Sequence, residues 1–154
     1  MENMSKTFLS DAQRRFIDDL ASLLSAWSMP SNAARLYGYL QIASDPVSLD
    51  DIARDLEISK SNAWGAATIL EQHGNARRLG ERGSKRIYFV AGDDPGTPLR
   101  HQAKTLGMMS ELIAASRSAV ATGPACDRLE RLSKFHRDLQ TAMESVILPG
   151  KDCE

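Results

Sequence analysis

The length and composition of the chain indicate a folded soluble protein. Its 154 residues suit one domain, or one domain with an oligomerising extension, and 42% are hydrophobic against 25% charged. No apolar run approaches the ~20 residues of a membrane span, and the segment MENMSKTFLSDAQRR lacks the apolar core of a signal peptide, so we expect a cytoplasmic location.

The first predicted helix begins at Ser10, a residue type that is typical of helix starts. An apolar stripe then recurs at helical spacing, formed by Phe16, Leu20, Leu23 and Trp27. This stripe predicts an N-terminal helical region over residues 1–28 that packs in the core or against another subunit.

A second helix is predicted to begin at the break around Pro30, because proline suits a first helical turn. Its buried face is expected to consist of Ala33, Leu36, Tyr37 and Leu40, while Arg35 and Tyr39 point elsewhere. The helix ends before Pro46, since the residue that precedes a proline is pushed out of helical geometry.

The next segment has the order of elements of a helix-turn-helix. Ser48 and Asp51 resemble a capping box, after a short predicted strand, and start a two-turn helix. Ser59 is expected to cap the following helix, which stops at Gly74. The buried faces of the two helices are predicted to contain Ile52, Ala53, Leu56, Ala63, Ala67 and Leu70. A short helix, a tight turn and a second helix with polar residues at its start form a helix-turn-helix.

A basic hairpin follows directly. Residues 75–80 and 85–90 read as two strands, and Glu81-Arg82-Gly83-Ser84 suits the tip between them. A hairpin in this place is a wing. Between residues 58 and 90 the anions are Glu71 and Glu81, against six cations: Lys60, Arg77, Arg78, Arg82, Lys85 and Arg86. A chain with a net charge of −1 can still bind a polyanion through such a basic face.

The C-terminal part is predicted to be helical. Residues 93–98 have the composition of a linker, and a helix over residues 99–121 is predicted from the spacing of Leu106, Met109, Ile113 and Val120. A last helix carries a heptad-like seam of Leu129, Leu132, His136, Leu139, Met143 and Val146. The expected organisation is thus mainly α: an N-terminal helix, a winged helix-turn-helix over 29–92 with a two-stranded wing, dimerisation helices over 99–148 and a tail over 149–154.

Several residues are candidates for DNA contact. A recognition helix enters the major groove by its N-terminal end, so Lys60, Ser61 and Asn62 are the candidates for base contacts. Trp64, Gly65 and Thr68 lie one to two turns further on; Trp64 can stack on DNA or lie in the core, and Gly65 can permit close backbone approach or have no meaning. Arg35 and the wing cations Arg77, Arg78, Arg82, Lys85 and Arg86 complete the predicted contact set.

The central stretch resembles the MarR type of transcriptional regulator. The segments ISKSNAWGAATILEQHGNARRL and GSKRIYF are similar to the recognition helix and wing of that family, and MPSNAARLYGYLQIASDPVSLDDIARDL resembles its GbsR branch. Asn75-Ala76 and the basic run Ser84-Lys85-Arg86 depart from the family pattern. The resemblance implies a homodimer built from N- and C-terminal helices, double-stranded DNA as partner, a palindromic operator and often a small-molecule effector.

These observations favour a homodimeric, effector-responsive DNA-binding regulator, more specifically a repressor. The dimer is expected to bury Phe16, Leu20, Leu23, Leu129, Leu132, Leu139, Met143 and Val146. Trp27, Tyr37 and Tyr39 have two interpretations: an effector pocket suited to a quaternary ammonium ligand, or side chains packed in the core.

Other classes of function remain to be weighed. A winged helix that binds proteins and not DNA is the alternative. An enzyme is not expected, because His73, His101 and His136 lie on three different elements without a nucleophile–base or metal-binding pattern, and we expect no cofactor and no metal. Cys126 and Cys153 read as two free thiols, with a redox role as the other possibility.

Overall fold

The computed structural model of the protein describes residues 9–147; the first eight residues, Cys153 and the predicted tail lie outside the described residues. The order of elements is α1 (Asp11–Leu24), a 3-10 turn (Ser25–Trp27), α2 (Ser31–Ile42), β1 (Val47–Ser48), α3 (Leu49–Leu56), α4 (Lys60–Gln72), β2 (Ala76–Gly80), β3 (Ile87–Ala91), α5 (Gly96–Val120) and α6 (Pro124–Ile147). The chain divides into two compact units on either side of the bond between Asp93 and Asp94.

The predicted helix starts are confirmed by their caps. The Ser10 and Ser48 hydroxyls each accept a hydrogen bond from the third residue of the following helix, and the side chains of Gln13 and Asp51 accept one in return. The Ser59 hydroxyl accepts from the Asn62 amide at 3.0 Å. Each cap satisfies amide groups that the first helical turn leaves without partners.

The turn at Gly74 terminates α4, as predicted, directly after the C-cap residue His73. Gly74 has a φ of 78°, and the amides of Gly74 and Asn75 donate to the carbonyls of Glu71 and Leu70 at 3.1 and 2.8 Å. This pair of bonds is a Schellman motif. The same turn meets the end of β3, because the Gly92 amide donates to the Asn75 carbonyl, and a Cβ on Gly92 would lie 2.5 Å from the Gly74 carbonyl oxygen.

The three strands form one antiparallel sheet in the order β1-β3-β2. Phe89 lies opposite both Val47 and Arg78, so β1 closes the base of the two-stranded wing. Strand β3 begins at Ile87, two residues later than predicted. The delay arises because Glu81–Arg86 forms the tip, where the Ser84 amide donates to the Glu81 carbonyl and the Arg86 amide to the Ser84 hydroxyl, both at 3.0 Å.

Helix α1 packs in the first unit through Ile17, which is not part of the predicted apolar stripe. Ile17 is fully buried, whereas Phe16, Leu23 and Trp27 are exposed. Gly38 on α2 lies beside Ile17, and a Cβ there would be in ordinary van der Waals contact with the Ile17 Cα at 3.5 Å. The remainder of this core is formed by the fully buried side chains of Leu36, Ile52, Leu56, Leu70 and Phe89.

Tyr39 also lies in the core, although the sequence pattern placed it on an outward face. Its side chain is 4% exposed, and its hydroxyl donates to the buried Asp55 carboxylate at 2.5 Å. Arg54 donates to the other carboxylate oxygen of Asp55 at 3.0 Å. Burial, followed by this hydrogen bond, raises the pKa of Tyr39. The hydrogen bond between Tyr39 and Asp55 joins α2 to α3. It also supplies one of the partners that a buried carboxylate requires.

The second unit is a hairpin of α5 and α6. Helix α5 begins within the predicted linker, because the Asp94 carboxylate accepts a hydrogen bond from the Gly96 amide at 2.8 Å. At the helix contact, the buried Ser110 and Ser133 hydroxyls each donate to the other residue's carbonyl, at 2.8 and 2.9 Å. Small residues make the contact, and the predicted seam is divided between half-buried residues (Leu129, His136 and Met143) and exposed ones (Leu132, Leu139 and Val146).

Candidate nucleic-acid interface

Helix α4 presents a polar outer face. Ala63, Ala66, Ala67 and Leu70 are buried. Because successive helical residues are rotated by about 100°, Ser61, Gly65 and Thr68 lie opposite this buried face. Ser61, Asn62 and Gly65 are exposed, and the Thr68 hydroxyl donates to the Trp64 carbonyl at 2.9 Å. The first turn therefore offers short polar side chains to a partner.

Lys60, at the start of α4, is paired within the chain. Its ammonium lies 3.2 Å from the carboxylate of Asp50 on α3. The sequence analysis did not single out Asp50, since only the turn between α3 and α4 brings the two side chains together.

Trp64 lies at the edge of α4 under an arginine of the wing. It is 42% exposed, and the Arg78 guanidinium stands 4.8 Å from its ring centroid and 5.7 Å from that of Phe89. The Glu71 carboxylate lies 2.8 Å from the same guanidinium and pairs with it. Arg78 therefore contacts Trp64 and pairs with Glu71, and its predicted contact with DNA stays a prediction. The cation–π contact leaves part of the indole open to solvent.

The tip of the wing carries the exposed cations. Arg82, Lys85 and Arg86 are all exposed, and Gly83 turns the chain with a φ of 80°. Arg77, in contrast, lies 3.3 Å from Asp93 and is partly neutralised by it. The wing therefore projects three long cationic side chains on a narrow hairpin, a form suited to phosphate contact or to the minor groove.

A groove of about 690 Å³ separates the wing from the helix-turn-helix. Its walls include Lys60 on one side and Lys85, Arg86 and Tyr88 on the other, and Asp50 lies at the N-terminal end of α3. Three cations line the groove, Lys60, Lys85 and Arg86, together with the carboxylates of Asp50 and Asp51.

The other predicted site residues lie in several different environments. Arg35 donates to the Leu56 carbonyl at 3.0 Å and pairs with Asp18 at 3.5 Å, so it joins α1, α2 and α3. Its predicted contact with DNA stays a prediction. Of the predicted effector residues, Trp27 is 82% exposed, Tyr37 is half-buried and Tyr39 lies in the core. The effector pocket predicted at these residues stays a prediction.

Residues 9–147 contain no group of three or more His, Cys, Asp or Glu side chains arranged to hold a metal. Within the same span no helix has both the length and the apolar character to cross a membrane. His73 lies in the first unit, with its Nδ1 2.8 Å from the Ile69 carbonyl oxygen, while His101 and His136 lie on α5 and α6.

A helix-turn-helix followed directly by a β-hairpin defines a winged helix-turn-helix, which confirms the predicted fold class. A solved crystal structure of a transcriptional regulator has this fold, with a TM-score of 0.70 and 25% identity over 88% of this chain and 92% of that one. A MepR mutant from a multidrug-resistant S. aureus clinical isolate is also similar, with a TM-score of 0.43 and 14% identity over 88% and 89% of the two chains. No protein-family model and no curated protein matches the sequence.

Proposed function

We propose that the protein is a sequence-specific DNA-binding transcriptional regulator of the MarR type. The observation that carries the proposal is the exposed polar first turn of α4 beside a wing with three exposed cations. The similarity to a solved transcriptional regulator over most of both chains supports it. Assignment to the GbsR branch rests on the sequence between Met29 and Leu56 alone.

In this proposal α4 enters the major groove by its N-terminal end. Asn62 can make two hydrogen bonds to adenine, Ser61 can donate or accept, and Lys60 can reach the acceptors of guanine. Arg82, Lys85 and Arg86 contact phosphates or enter the minor groove, which fixes the position of the protein on DNA without reading many bases.

The regulator is proposed to act as a homodimeric repressor. Apolar side chains that are exposed in the single chain include Phe16 and Leu23 on α1 and Leu132 and Val146 on α6. Burial of such residues against a second copy would place two recognition helices about 34 Å apart, to match successive major grooves. A small-molecule effector would switch binding only through different affinities for two arrangements of the dimer.

The proposal is tested by selecting bound sites from random duplexes and measuring two variants. Asn62→Ala should weaken binding to the selected site more than binding to unrelated duplex, because it removes a base contact. Arg86→Ala should weaken both about equally and reduce the salt slope by about one.

Measurements of DNA binding at several salt concentrations also distinguish the proposed function from the alternative, a winged helix that binds proteins. A DNA reader loses affinity steeply as salt rises. Flat and undetectable binding of the unmodified protein to duplex DNA at low salt would contradict the DNA proposal and favour the protein-interaction module.

A further inference from the structure

Asp50 and Asp51 lie in the first turn of α3, and their carboxylates have different partners. The two oxygens of the Asp51 carboxylate are used within the structure, one by the Ser48 amide at 3.0 Å and the other by Arg54 at 3.2 Å. The carboxylate of Asp50, which is 78% exposed, reaches across to α4 and pairs with Lys60 at 3.2 Å. Asp50 therefore places a negative charge on the surface that we propose for DNA.

The pairing changes what Lys60 can bind. A lysine ammonium has three donors, and one of them is directed to Asp50, which leaves two for a ligand. In the structure the Lys60 ammonium is directed toward Asp50, and both residues line the groove. Guanine offers two neutral acceptors, O6 and N7, to such a group. A phosphate offers similar oxygens but carries a negative charge, which the adjacent Asp50 carboxylate repels.

We propose that Asp50 is a specificity-determining residue, which positions Lys60 for neutral base acceptors and disfavours its contact with phosphate. The inference rests on the proposed DNA-binding function. Non-specific binding depends on phosphate contacts, so Asp50 lowers affinity for unrelated DNA. Lys60 keeps its contact to a base at the selected site, where no additional negative charge approaches Asp50.

The test compares Asp50→Asn with the unmodified protein on the selected site and on an unrelated duplex, at several salt concentrations. Asparagine retains a polar side chain in the first turn of α3, and thermal unfolding checks that the variant folds. We expect affinity for the unrelated duplex to rise about two- to five-fold, the range that an exposed ion pair supplies. Its salt slope should steepen by about one phosphate contact. The ratio of specific to non-specific affinity should fall by the same two- to five-fold.

Two further variants separate a role through Lys60 from a general effect of charge. Asp19→Asn removes one negative charge from an exposed position on α1 and should leave the specificity ratio unchanged. Asp50→Asn in a Lys60→Ala background should no longer steepen the salt slope, because the freed ammonium is absent.

Equal gains on both duplexes, or an unchanged salt slope in Asp50→Asn, would overturn the inference while leaving the proposed function intact. The same gain with and without Lys60 would show simple repulsion by Asp50 and would also overturn it. Failure of the unmodified protein to bind any duplex with salt dependence would instead remove the proposed function, and this inference with it.

Discussion

Gly65 lies on the outer face of α4, where an added Cβ would meet no atom within 4 Å. Glycine in a helix interior destabilises by about 1 kcal/mol relative to alanine. The fold therefore supplies no packing reason for glycine, whereas close approach of the helix backbone to DNA would supply one.

Gly65→Ala should raise the free energy of unfolding by about 0.5–1 kcal/mol and still weaken binding to the selected DNA site. Chemical denaturation and a binding titration on the same preparation measure the two effects. If stability rises and binding is unchanged, Gly65 is merely tolerated at this position.

A second residue-scale prediction concerns the Tyr39 hydroxyl. Tyr39→Phe removes the donor to Asp55 Oδ2 and leaves a buried carboxylate oxygen without that partner. Hydrogen bonds to charged groups contribute about 1.5–3 kcal/mol, so the free energy of unfolding should fall by roughly this amount. Tyr37→Phe, on the same helix but at a half-buried position, is the control for urea denaturation and should change the value much less. Equal effects of both substitutions would contradict the role given to the Tyr39–Asp55 bond.

At the scale of elements, the contact between the end of β3 and the end of α4 joins the wing to the recognition helix. The Gly92 amide donates to the Asn75 carbonyl at 3.1 Å, directly after the Schellman turn at Gly74. This hydrogen bond ties the residue after β3 to the turn after α4 without involving the tip, so we expect the wing strands and α4 to unfold together.

Gly92→Ala should lower the free energy of unfolding by about 1–3 kcal/mol, because its Cβ would lie 2.5 Å from the Gly74 carbonyl oxygen and force the backbone to shift. Gly80→Ala in β2 is the matched control, since a Cβ there meets nothing within 4 Å. Thermal unfolding of the two variants provides the comparison. A Gly92→Ala protein as stable as Gly80→Ala would show that the backbone at this junction accommodates the added methyl group without a loss of stability.

At the scale of the whole molecule, the second unit exposes large apolar side chains that we expect a partner to cover. Leu112 on α5 and Phe135 on α6 are 67% and 61% exposed, and the contact between these two helices is made by small residues. Exposed large apolar side chains on both helices are typical of a surface that binds a partner. A second copy of the chain is the partner in the proposed function.

Leu112→Glu and Phe135→Glu should each shift the protein from dimer to monomer in sedimentation equilibrium, because each places a charge in an apolar interface. Ser118→Glu, at an exposed polar position on α5, is the control and should leave the dimer intact. An unmodified protein that sediments as a monomer at all concentrations would contradict the dimer.

Much of the fold could be predicted from the sequence because its signals are local. Caps at Ser48 and Ser59, the break at Pro30 and the stop at Gly74 act within a few residues of chain, so the helix-turn-helix and the wing follow from them. The polar first turn of α4 was predictable for the same reason, since Ser59 sets where the helix starts and hence which residues it presents.

Only the tertiary structure decided which partners the side chains take. It placed Ile17 in the core instead of Phe16, directed Tyr39 to Asp55, and paired Lys60, Arg77 and Arg78 with Asp50, Asp93 and Glu71. Helical periodicity identifies an apolar stripe but not the neighbour that covers it. Contacts between distant parts of the chain exist only once the elements pack. The sequence alone therefore determined the elements and their order, and packing determined which cations are paired with carboxylates.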